Sequence, residues 1–181
     1  MKTYSAHPAM LDSKTQLGTA LADLKRSYSL SDYEAVDVAW VAVIKLANLM
    51  PDKSEHDRLS ALLEQLPENR VRSILEQPAI DTLLNLEPPL ESILSMPHEM
   101  LNAERTAKEL ALVRDKRITE PKEALLNLVK VLKRIRNRRA HGFKTPSGLR
   151  DQQILGAAVK LLRAVGEIAV GKLSMLSPDE A

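Results

Sequence analysis

"ITEPKEALLNLVKVLKRIRNRRA", Ile118 to Ala140, is the stretch on which the fold turns. Leu125, Leu128, Val129, Leu132 and Ile135 recur at three- and four-residue spacing, the period of a helix with one buried face. Thr119 stands where an N-cap belongs, and Pro121 falls in the first turn, where a missing N–H breaks no intrahelical bond. After it comes "HGFKTPSG", whose Gly142 suits the left-handed end of a helix, and then "LRDQQILGAAVKLLRAVGEIAVGKL", a second periodic apolar segment. Helix, polar corner, helix is the local expectation.

The same period recurs along the chain. Asp12 or Ser13 caps a first helix to about Tyr28, and Ser31, with Glu34 three residues on, opens "DYEAVDVAWVAVIKLANLM", which stops at Pro51. Ser54 with Asp57 starts a helix carrying Leu59, Leu62, Leu63 and Leu66. Between residues 67 and 97 five prolines cut the chain into "VRSILEQ", "AIDTLLNL" and "LESILSM", expected as short extra helices or turns packed on the main body. A longer helix is expected from about His98 to Arg117. No alternating β pattern of useful length occurs. The fold class expected is all-α: an irregular helical bundle of five or more helices, one domain over residues 1–181.

Composition narrows the chemistry. Aromatic residues are only 3% of the 181, so the core must be built from aliphatic side chains, which favours helix-on-helix packing. With no cysteine there is neither disulfide nor thiolate metal site. His7, His56 and His98 are isolated and lack ligand spacing, so no metal and no cofactor is expected. Trp40 reads as core or dimer interface, with base stacking the other use of an indole. The N-terminal "MKTYSAHPAMLDSK" lacks the apolar core of a signal peptide. The most apolar run, Val36 to Met50, contains Asp37 and Lys45 and is too short to span a bilayer. The expectation is a cytoplasmic protein that makes no use of a membrane.

Net charge is only +2, but it is unevenly placed. From Ala124 to Arg150 there is no acid, while Lys130, Lys133, Arg134, Arg136, Arg138, Arg139, Lys144 and Arg150 supply eight positive charges. Such a segment suits a polyanion, which points to RNA contacts from Lys130, Lys133, Arg134, Arg138, Arg139 and Lys144. At about 100° per residue Arg136 and Arg139 project close to the apolar stripe, whereas Lys130, Arg134 and Asn137 point away. An arginine beside a core is costly unless its guanidinium finds a partner. His141 lies five residues after Arg136, roughly 140° round an unbroken helix. The two can serve one site only if the helix ends between them or if two chains contribute.

Arg136-Asn137-Arg138-Arg139-Ala140-His141, "RNRRAH", resembles the R-N-x-x-x-H form of the R-x(4-6)-H signature of HEPN domains (higher eukaryotes and prokaryotes nucleotide-binding). The resemblance covers roughly residues 121–173, the motif helix and its successor. It implies a helical bundle that commonly dimerises with its motifs face to face, and in active members a metal-independent ribonuclease of toxin or defence type, some with an antitoxin or other protein partner. It also implies catalytic roles for Arg136 and His141, with Asn137 as the polar residue after the arginine. An acid from another helix often supports the arginine in this family; Asp32, Glu34 and Asp37 are the candidates, unranked by sequence.

The residue types fit metal-independent RNA cleavage. A base must take the 2′-hydroxyl proton, an acid must protonate the leaving 5′-oxygen, and a cation must stabilise charge on the phosphorane. Histidine titrates near neutrality and can make either transfer, while arginine keeps its charge and forks onto phosphate. With a single histidine in the corner, a homodimer joined through residues 131–148 would supply the second. The alternative, from another class, is a non-catalytic helical module that binds nucleic acid or protein, in which His141 merely ends a helix.

Overall fold

Among the described residues eight helices form where the periodic segments lie: α1 Ser13–Ser27, α2 Asp32–Ala47, α3 Glu55–Gln65, α4 Glu68–Leu75, α5 Pro78–Leu86, α6 Pro97–Lys116, α7 Pro121–Ala140 and α8 Leu149–Leu176. The structure is a computed structural model describing residues 13–51, 54–87 and 97–176, and no strand occurs among them. Asp12, His7 and the piece "LESILSM" lie outside the described residues. The all-α expectation is met. Among the described residues no helix is long and apolar enough to cross a membrane.

Local chemistry accounts for most of the boundaries. Ser54 caps α3 by accepting from the Asp57 amide at 3.0 Å, and Pro78 takes the first position of α5. At α7 the expected cap is displaced by one residue. Pro121 occupies the first turn, so Glu120 rather than Thr119 is the N-cap, without a side-chain capping bond. α2 ends at Ala47, short of Pro51, and residues 48–50 turn out of the helix.

One apolar core gathers residues from all eight helices. α2 contributes Val36, Ala39, Trp40, Val43 and Leu46, α7 contributes Leu125, Leu128, Leu132 and Ile135, and α8 contributes Ile154, Val159, Leu162 and Val165, all buried. α6 and α7 form an antiparallel hairpin about residues 117–120, with 20 residues in each helix. Residues equidistant from that turn therefore face one another. Near the turn, Lys116 donates to Glu123 at 2.6 Å, a hydrogen bond that holds the Glu123 carboxyl below its ordinary range. The far end of the hairpin brings the start of α6 to the end of α7.

Candidate functional site

The end of α7 is built by its last three residues and the three that follow. His141 is the C-cap and Gly142 adopts φ 78°, the only positive φ among the described residues. The Gly142 amide donates to the Arg139 carbonyl at 3.0 Å and the Phe143 amide to the Arg138 carbonyl at 2.8 Å. This is a Schellman terminus, in which a left-handed residue lets two amides close on the last turn. Among the described residues, its chain neighbours aside, no atom stands within 4 Å of a Cβ added to Gly142, so its requirement is conformational rather than steric. Gly142→Ala is therefore expected to destabilise the fold by about 1–2 kcal/mol, the cost of a left-handed L-residue. A thermal melt will show it, with Gly142→Asn losing less.

His141, exposed at that cap, lines a cleft of about 500 Å³ with Arg134, Asn137, Arg138 and Phe143 from its own side and His98 and Asn102 from α6. The spacing explains the grouping, since Arg134, Asn137, Arg138 and His141 share one face of α7 while His98 and Asn102 lie one turn apart on α6. His98 thus belongs to the same cleft as His141 within one chain. Its isolation in sequence concealed this, although the hairpin places it opposite His141.

Arg136 does not line the cleft. Its Nε donates to Asp37 Oδ1 on α2 at 2.9 Å, and its Nη1 donates to the Asn137 Oδ1 at 3.3 Å. Arg139 also donates to Asp37, through Oδ2; its Nε donates to the Tyr33 carbonyl at 2.9 Å and its guanidinium lies 4.3 Å from the Tyr33 ring centroid. Asp37 is accordingly the acid that supports Arg136. Of the other candidates, Glu34 accepts from Ser31 Oγ at 2.8 Å, and Asp32 faces α8 at Gly156, where an added Cβ would come within 2.8 Å of its carboxylate. Arg136 reaches the cleft only through Asn137, which it helps to orient.

The basic segment is more thoroughly paired than its sequence implied. Arg134 forks onto Glu109 of α6, with Nη2 to Oε1 at 2.8 Å, and Lys133 meets Glu55 at 2.7 Å. Arg138 and Lys144 correct the expectation of a solvated, phosphate-contacting face. They are 3% and 1% exposed. Both hold the fully buried Glu87, Arg138 Nη1 at 2.7 Å and Lys144 Nζ at 2.8 Å. Lys144 also lies 3.5 Å from Asp151. Their burial follows from position: residue 138 faces the cleft's inner wall, and the corner after Gly142 folds residue 144 back onto the end of α5. Arg150 donates to the Leu86 carbonyl at the same place. Among the described residues Lys130 alone of the eight makes neither an ion pair nor a hydrogen bond.

Chemically, the cleft offers two imidazoles, two carboxamides and two arginines, Arg134 sharing its charge with Glu109 and Arg138 with Glu87. Glu87, Asn102, His98 and Phe143 were not singled out from sequence as parts of a site. Comparison of the chain with protein-family models, with curated proteins and with solved structures finds no match in any of the three.

Proposed function

We propose that the chain is a HEPN-like RNA-binding protein and a metal-independent ribonuclease of toxin or defence type. The observation that supports it is one cleft that joins His98 and His141 to Asn137 and Arg134. One imidazole takes the 2′-hydroxyl proton; O2′ attacks phosphorus and the bond to O5′ breaks. The other imidazole protonates the leaving O5′, giving a 2′,3′-cyclic phosphate and a 5′-hydroxyl. Arg134 is the cation beside the phosphate. Arg136, clamped by Asp37, acts on the cleft through Asn137.

With two histidines in one chain's cleft, cleavage no longer requires a second copy to complete the proton transfers. A homodimer through residues 131–148 remains part of the proposal because it joins two such clefts into one groove, and sedimentation of the free protein reads it directly. The experiment for the activity is incubation of the protein with RNA in excess EDTA. Cleavage that His141→Ala abolishes is expected; cleavage at an unchanged rate in that variant would end the catalytic proposal.

A non-catalytic module is the second proposal, favoured by the internal pairing of Lys133, Arg134, Arg136, Arg138, Arg139 and Lys144 with carboxylates. Cations already compensated in the chain release fewer counterions from a polyanion. It predicts binding of RNA or a protein partner with no product.

A further inference from the structure

A second cleft, of about 350 Å³, opens beside the first and shares Asn102, Arg134 and Asn137 with it. Its floor is apolar: Leu59, Leu126 and Val129, with Trp40 beneath at 5% exposure. Its polar lining, besides the shared residues, is Lys130, His56 and the Lys133–Glu55 pair at 2.7 Å. An apolar floor with a few polar groups at its edge, at a volume within roughly 300–1,000 Å³, is the usual form of a small-molecule site. A ligand with an apolar body, hydrogen-bonding groups at its edge and negative charge towards Lys130 and the shared wall is complementary to it.

We infer that this second cleft is a nucleobase pocket, which seats the unpaired base of the nucleotide next to the phosphate held in the His98–His141 cleft. The inference rests on the proposed RNA binding of the first cleft and names its substrate class, single-stranded RNA. Asn102, Arg134 and Asn137 line both clefts, so a chain whose phosphate lies against Arg134 and Asn137 has its neighbouring sugar and base beside the second. A base in a duplex is stacked on both faces and cannot enter; an unpaired one can be splayed out. Glu55 offers an acceptor for base N–H groups, and Lys130, the unpaired cation, offers a contact to the next phosphate. Because Trp40 is so little exposed, it is a reporter of occupancy more than a stacking platform.

Trp40 is the only tryptophan, so its fluorescence reads the pocket without labelling. The test titrates the wild-type protein with a short 2′-O-methyl oligonucleotide, which lacks the attacking hydroxyl, and with a fully abasic chain of the same length and charge. The intact oligonucleotide is expected to bind about tenfold more tightly or better and to change Trp40 fluorescence, and the abasic chain to leave it unchanged. Equal affinity for the two chains overturns the pocket, as does a base-dependent affinity that leaves Trp40 silent, since the bases then bind elsewhere. Lys130→Glu, a substitution in the polar lining, should weaken both chains. Neither readout depends on cleavage. A protein that cuts RNA without any base effect loses the pocket and keeps the catalytic proposal, and one that shows the base effect without cutting does the reverse.

Discussion

Replacing Glu87 with glutamine is expected to cost the fold about 3–5 kcal/mol, the loss typical of removing one partner from a buried ion pair. The carboxylate is fully buried and holds two nearly inaccessible cations, Arg138 and Lys144. Glutamine keeps the shape and one acceptor oxygen but removes the charge that the two buried cations share, leaving Lys144 with Asp151 at 3.5 Å. At about 2–4 °C per kcal/mol for a chain of this size, the melting temperature should fall by roughly ten degrees. The triple replacement Glu87→Leu, Arg138→Met, Lys144→Met should melt closer to the wild type than Glu87→Gln does, because an apolar cluster owes no desolvation penalty. A Glu87→Gln protein melting within two degrees of wild type would show that the triad is not closed to solvent. The effect should extend to the site, since this triad pins the corner after Gly142 to the end of α5 and thereby fixes His141.

His141→Ala should lower RNA cleavage by about 10²–10⁴, the usual contribution of a positioned acid or base. Stability should barely move, because the side chain is exposed at a helix end whose closing bonds are made by backbone amides. His98→Ala should cause a loss of the same order. The double variant should be little worse than the poorer single one, since groups that act on one proton relay are not additive. Binding of an uncleavable RNA should survive all three substitutions. If His98→Ala cleaves as the wild type does, the two-histidine cleft is wrong and the second proton-transfer group must come from elsewhere, the partner copy of a homodimer being the first place to look.

How much of this was legible beforehand depended on the range of the interaction. Ser54 as a cap, Gly142 as a left-handed terminus and the break of α7 before His141 all follow from a few adjacent residues, and all appear as expected. Thr119 failed as a cap because Pro121 set the helix start one residue later than the hydroxyl suggested. The need of Arg136 for a partner was legible from its angle on the helix. That the partner is Asp37 was not, because Asp32, Glu34 and Asp37 differ only in how α2 lies across α7. Glu87 had no local signal at all: its partners sit at positions 138 and 144, across the bundle. His98 is the instructive case. Folding two 20-residue helices about the turn at 117–120 already sets it opposite His141, so the hairpin's symmetry, more than any motif, held the missing half of the cleft.

The most direct test of the central claim uses a DNA oligonucleotide carrying a single ribonucleotide, incubated with the protein in excess EDTA and analysed by mass spectrometry. Cleavage through the 2′-hydroxyl must fall at the ribonucleotide alone and leave a 2′,3′-cyclic phosphate on one product and a 5′-hydroxyl on the other. An uncut all-DNA control and a His141→Ala protein that yields no such ends complete the expected result. Cutting of the all-DNA strand, products ending in 3′-hydroxyl and 5′-phosphate, or no product from this substrate and from natural RNA alike would contradict it.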